Sequence, residues 1–193
     1  MASAGKVTTG FSLPYVALYA ESGGTITYSS GQKLARGVDV TITPDTSDDN
    51  NFYADNIIAE TEAGRFTGGT VSLTVDGLLG ATRKLIYGLP ASTGGWTAFG
   101  DDMSIPYVGV GYIARQQKEG TVVYTPTVLC KCKFKLPSVS AATQEETIDW
   151  QTETLEATIL RGDDSNHNWV FLGDEYSTES AAEASLKTKL GIS

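Results

Sequence analysis

The chain has 193 residues, with 23 Asp and Glu against 14 Lys and Arg and a single histidine, for a formal charge of -9 at neutral pH. That length suits one well-buried core and is short for two. The acidic excess argues against a protein whose main task is to grip nucleic acid, because such affinity comes from neutralising phosphates with Lys and Arg.

The N-terminus lacks the apolar run of a secretory signal, and nowhere do about 18 apolar residues follow one another, so synthesis in the cytoplasm is expected. Leu13 to Tyr19 reads as an extended opening segment, Glu21-Ser22-Gly23-Gly24 as a turn, and Thr25 to Ser29 as a returning strand. Val38, Val40 and Ile42 alternate with Asp39, Thr41 and Thr43, and Val71, Leu73 and Val75 alternate with Thr70, Ser72 and Thr74. Period-two alternation buries one face and wets the other, as in half-exposed antiparallel strands. Between these strands, Pro44 to Asn51 is polar and rich in turn formers, which predicts a protruding loop or an extended hairpin tip with Phe52 and Tyr53 at its base.

Asp76 is suited to cap a helix that Gly88 ends and Pro90 stops, with Leu78, Leu79, Leu85 and Ile86 as its apolar side and Arg83 and Lys84 toward its C-terminal end. Ser92 to Asp102 is irregular. Strands return at Pro106 to Arg115 and Thr121 to Leu136, joined across Lys118-Glu119-Gly120. The second alternates Val128, Cys130, Cys132, Phe134 and Leu136 with Lys131, Lys133 and Lys135. Cysteines two apart in a strand are poorly placed for a disulfide, so two buried thiols are expected.

A polar interval spans Ser138 to Glu146. After it the apolar parity changes, from even at Ile148 and Trp150 to odd at Leu155, Ala157 and Ile159, which calls for a bulge in this strand or a turn near Gln151 to Glu153. Arg161 to Asn168 reads as a polar turn and Trp169 to Leu172 as a short strand. Thr178 to Leu190 reads as a terminal helix with Ala182, Leu186 and Leu190 as its stripe and Gly191 beyond its end.

Chemistry finds little footing. His167 sits in a polar turn with no nucleophile elbow to serve. Asp164, Asn166, Asn168 and Glu175 have calcium-loop spacing, but Trp169 stands where the sharp turn needs glycine. Arg161-Gly162-Asp163 is short enough to arise by chance, and Gly109-Val110-Gly111 lacks the later glycine and helix of a dinucleotide site. The acidic pairs Asp48-Asp49 and Asp101-Asp102 read as surface charge. No catalytic centre, cofactor or metal is expected. The row Lys131, Lys133 and Lys135 fits a solvated face or guarded edge, a contact with a neighbouring subunit, or, least well, nucleic acid.

Taken in order and spacing, the segments Leu13 to Tyr19, Gly37 to Asp45, Phe52 to Ile58 and Gly69 to Asp76 resemble the N-terminal half of bacteriophage major tail proteins of the long, non-contractile-tailed kind. The likeness is firmest from Pro14 to Gly88, and Trp150 to Leu160 and Trp169 to Gly191 look similar to the family's C-terminal part. The resemblance implies a mainly β fold, an antiparallel β-sandwich or barrel with one packed short helix and a C-terminal helix. It further implies one tail-tube domain over residues 1–193, with a protruding loop at about 44–52 and a strand-helix extension at about 169–191.

Such subunits form hexameric rings that stack into a tube, the conduit for DNA delivery, in the virion tail. Partners would be other copies of the chain, the tape-measure protein, the tail terminator and distal tail proteins, with DNA passing through without specific binding. If six subunits each give about four strands, about 24 strands spaced about 4.8 Å and tilted about 40° close a barrel roughly 48 Å across, wide enough for a duplex. On this resemblance Asp45, Asp48, Asp49, Phe52, Tyr53, Lys131, Lys133 and Lys135 are candidate contacts between subunits or rings, and Asp39, Asp55 and Asp76 are candidate charges of a negative lumen. A tube of a phage-derived bacteriocin particle would use the same subunit. A carbohydrate- or cell-surface-binding β-sandwich, with Trp96, Tyr107 and Tyr112 as exposed aromatics, is the alternative from another class.

Overall fold

The computed structural model describes residues 5–101, 103–138 and 150–192. In chain order its elements are β1 (Val7–Ser22), β2 (Thr25–Lys33), β3 (Gly37–Thr46), β4 (Asn50–Ala54), β5 (Ile57–Glu62), β6 (Phe66–Val75), α1 (Gly80–Tyr87), β7 (Val108–Lys118), β8 (Thr121–Phe134), β9 (Glu153–Leu160), β10 (Val170–Leu172) and α2 (Glu179–Lys189). The fold is mainly β and antiparallel. One sheet runs β2-β1-β7-β8-β9-β6-β3, with β10 also pairing β8, while β4 and β5 form a separate two-stranded sheet.

Two long hairpins, β1-β2 and β7-β8, turn on Gly23-Gly24 and Glu119-Gly120, all four at positive φ. Such two-residue turns carry the twist that antiparallel strands need. β8 then serves two partners beyond β7: Thr127 to Leu129 take β10, and Lys131 to Phe134 take β9. Where it changes partner its register against β7 slips, with Val108 opposite Cys132 but Val110 opposite Leu129. The extra residue is a bulge, which bends the strand and swaps its faces.

Through that bend the sheet folds over on itself around one core. Val16, Val110 and Leu129 meet Val71, Leu73, Leu155, Ala157 and Ile159 from the opposite half, and Ile86 and Tyr87 of α1 close one side. The reverse face of β1, β7 and β8 carries Tyr15, Ala17, Ile113 and Val128, which α2 covers through Ala182 and Leu186, with Leu190 just beyond. Gly111 makes room for that helix, since a Cβ there would lie 2.6 Å from a Leu186 methyl.

Several expectations are corrected. Val128, Cys130, Cys132 and Phe134 do not share one face: the bulge puts Leu129, Cys132 and Phe134 toward the main core and Val128 toward α2, while Leu136 lies beyond the strand and is exposed. The parity change near residue 150 is not a bulge in β9, which pairs β6 residue for residue from Gly69 opposite Ile159 to Val75 opposite Glu153. β9 starts only at Glu153, Trp150 lies outside any strand, and Ile148, Asp102 and residues 139–146 fall outside the described residues. Val38 is exposed at a register slip where β3 begins.

The first helix also starts later than expected. Asp76 is not its cap: α1 begins at Gly80 after an extended Leu79 that is itself exposed, with no side-chain cap. The Asp76 carboxylate instead accepts from the Arg36 backbone N–H at 2.9 Å and pairs with the Arg36 guanidinium, tying the β2-β3 connection to the end of β6. Arg83 reaches Glu153 of β9 with both carboxylate oxygens, at 3.0 and 2.9 Å. Gly88, left-handed at φ 59°, ends the helix as expected. α2 also follows expectation, with Thr178 accepting from the Ala181 N–H at 3.3 Å and Gly191 at φ 62°.

The Tyr15 hydroxyl donates to Glu183 at 2.5 Å and Lys187 pairs with the same carboxylate at 2.9 Å, joining β1 to α2. The tyrosine hydrogen bond first, and the lysine second, hold the Glu183 carboxyl below its ordinary value. A depressed carboxylate contributes stability that is present above its unfolded pKa and is lost as pH falls through the lower folded one. The urea midpoint is therefore expected to hold steady from neutral pH down to about 5 and to decline below about 4, and Glu183→Gln should flatten part of that decline. An acid limb unchanged in the variant would remove Glu183 from the account.

Candidate assembly surfaces

The hairpin β4-β5 stands apart from the folded body. Asp55 and Asn56, at φ 51° and 64°, make its two-residue turn, and Tyr53 pairs with Ile58 and Ala54 with Ile57. Alternation then puts Phe52 and Ile57 on one face and Tyr53 and Ile58 on the other. All four are open to solvent, at 64, 67, 62 and 52% respectively. None belongs to either core cluster. A hairpin of two strands is marginal in water by itself, and one with apolar side chains on both faces needs cover on both.

Its neck is fixed by polar contacts. The Ser47 N–H donates to the Arg65 carbonyl at 2.9 Å, the Arg65 N–H to the Ser47 hydroxyl at 3.0 Å, and the Gly64 N–H to Asp49 at 2.8 Å. Asp49 thus has a structural task, while Asp48 and Asp45 are exposed. The expected loop at about 44–52 is shorter than foreseen: β3 carries Pro44 to Thr46, β4 begins at Asn50, and the projecting tip is Asp55-Asn56. Ile57 and Ile58, half of the apolar surface, were not among the expected contacts. The signal that could have found them is Asp-Asn, two residues tolerant of left-handed backbone, between apolar pairs.

The lysine row is not on an edge, because β8 lies inside the sheet; the edge strands of the path are β2 and β3. Lys131 pairs with Asp163 at 2.6 Å and sits over the rings of Tyr107 and Tyr19, at 4.5 and 5.3 Å. The Asp163 carboxyl is held below its usual range, first by Lys131. Lys135, just past the strand, pairs with Glu156 at 2.9 Å. Lys133 is exposed, lies 5.4 Å from the Tyr107 ring, and meets no carboxylate among the described residues.

The candidate lumen acids are scattered. Asp39 stands on the solvent face of β3 opposite Thr74, Asp55 is in the hairpin turn, and Asp76 is bound to Arg36. The expected sugar-binding aromatics do not converge either. Trp96 is exposed at a tight Gly94-Gly95 turn, Tyr112 packs against Phe11 at 5.5 Å, and Tyr107 lies beneath two lysines. Around His167 the polar turn is closed on itself: Asp164 accepts from the Asn168 N–H at 2.9 Å, and the Gly162 N–H donates to the Asn168 carbonyl at 2.9 Å. Among the described residues no group of three or more His, Cys, Asp and Glu is placed to hold a metal.

Cys130 and Cys132 are free and buried, as expected. Burial pushes the Cys130 thiol up to about 12 and raises Cys132 as well. Because the thiolate is the reactive form, neither should react with a disulfide reagent at neutral pH until the chain is denatured. Rapid modification of the folded protein would contradict their placement.

Comparison with models of known protein families returns no match to this chain, and comparison with curated proteins returns none.

Proposed function

We propose that the chain is a structural subunit that self-associates into hexameric rings, which stack into a tube of the phage-tail kind, and that DNA travels through the tube without specific binding. The observation that carries this reading is the projecting β4-β5 hairpin, apolar on both faces and left open to solvent by the described residues. A second copy would supply the missing cover. The segment 46–65 that bears the hairpin also holds Asp48, Asp49, Asp55, Glu60 and Glu62 against Arg65 alone, so the apolar hairpin sits in an acidic segment. Exposed edges at β2 and β3 add backbone groups that a neighbour can pair. On this reading the tape-measure, terminator and distal tail proteins are the further partners, and the site of action is the virion tail.

Sedimentation velocity over a range of protein concentration tests self-association. The expected result is a monomer that gives way to large, concentration-dependent species. A monomer that persists at every concentration and binds saccharide would favour the cell-surface alternative instead.

A further inference from the structure

We infer that the solvent face of β3, β6, β9 and the C-terminal part of β8 forms the channel wall, and that this wall is lined by hydroxyls and nearly balanced in charge rather than acidic. The inference rests on the tube reading above.

The two halves of the folded sheet differ on their outer sides. The outer face of β1, β7 and β8 is covered by α2. The outer face of β3, β6 and β9 has no such cover among the described residues, and its side chains form cross-strand rows. One row runs Thr43, Thr70, Thr158 and Lys133; the next runs Thr41, Ser72, Glu156 and Lys135; the third runs Asp39, Thr74 and Thr154. Within the last row the Thr74 and Thr154 hydroxyls are 3.3 Å apart.

No large apolar side chain interrupts these rows, so the face is unlike a docking surface, whose centre is apolar and aromatic. It can nevertheless continue from copy to copy, because β3 at its margin is an open edge. The other half cannot present a continuous sheet face, since a helix lies across it. These four strands also equal the number from which a barrel of about 48 Å follows for six copies.

The charges on this face are few and nearly balanced in sign. Asp39, Asp45 and Glu156 stand against Lys133 and Lys135, with Lys135 already bound to Glu156 at 2.9 Å. Lys131 is neutralised by Asp163. Tight attachment of a phosphate backbone needs several free cations whose pairing releases counterions, and among the described residues this face offers Lys133 alone. Weak adhesion here comes from the scarcity of free cations, with water held on hydroxyls, and needs no carboxylate lining. The hairpin segment 46–65, with five acids against one arginine, carries a net -4 of the chain's -9.

Cryo-electron microscopy of wild-type tubes tests the assignment. The expected map has the Thr70, Ser72 and Glu156 rows at the smallest radius and α2 at a larger one. Tubes with α2 lining the channel would overturn the inference while leaving the tube reading intact; failure to form tubes would overturn the reading itself and the inference with it. A chemical measurement gives the same answer independently. A maleimide on a polymer too bulky to enter the channel should label Thr70→Cys and Ala184→Cys alike as free subunits. On assembly Thr70→Cys should lose that labelling and Ala184→Cys, exposed on α2, should keep it. Retained labelling at Thr70→Cys in intact tubes would place this face outside.

Discussion

Replacing Phe52, Tyr53, Ile57 and Ile58 together by serine is expected to abolish self-association and leave the folded subunit intact. The four side chains belong to neither core cluster, so their loss leaves the packing of both cores in place. Substitutions at such surface positions usually change stability by about 0.5 kcal/mol or less each. Aromatic and aliphatic anchors buried at the centre of an interface, by contrast, cost about 2 kcal/mol or more each when truncated. Removing four of them in every copy compounds through a stacked assembly. The neck contacts of Ser47, Asp49 and Arg65 are untouched, which makes this variant cleaner than deleting residues 46–50. Thermal melting and sedimentation, read together, decide the matter. Normal assembly of the quadruple variant would show that the hairpin is not the connector.

The largest effect on stability is expected at the core. Leu155→Ala should cost about 2 to 5 kcal/mol, the range for truncating a fully buried leucine whose surroundings relax only in part. Leu155 of β9 is 2% exposed and packs within the cluster that joins the two halves of the sheet. Gly111→Val probes the other side: its Cβ would fall 2.6 Å from Leu186 and 2.8 Å from Leu190, and overpacking of this kind costs about 1 to 3 kcal/mol. The two differ in character. Leu155→Ala should lower the denaturant midpoint of the whole domain, whereas Gly111→Val should first expose the amides of α2 to hydrogen exchange. A Leu155→Ala midpoint close to wild type would contradict the folded-over sheet.

The sequence was most legible where one face of an element is wet. β3 and β6 announce themselves by alternation, α2 by its stripe and cap, and the hairpin turns by glycine. Legibility failed on β8, because from Pro126 to Cys130 both faces are covered and every residue is buried. A strand buried on both sides has no alternation to read, so a bulge there shifts nothing visible in the sequence. The parity change near residue 150 has a separate origin, since Trp150 precedes β9 and lies outside any strand.

Asp76 shows a different limit. A carboxylate near a helix start has a local use as a cap, but the Arg36 N–H and guanidinium, brought up by the β3-β6 pairing, bind it instead. The lysine row had a similar fate. Its spacing along β8 was readable, but Asp163 and Glu156 as its partners depend on strand order, which no local pattern encodes. Of the candidate contact site, Phe52 and Tyr53 were legible as aromatics beside a polar segment. Ile57 and Ile58 lay in the same segment but were not singled out, and left-handed Asp55 and Asn56 fold that segment into two strands that bring them beside Phe52 and Tyr53.

Electron microscopy of the purified full chain, concentrated without other proteins, tests the central claim most directly. The account predicts rings or tubes with six-fold symmetry about an open channel. Dispersed single subunits at every concentration, with no ring or stack in any field, would contradict it.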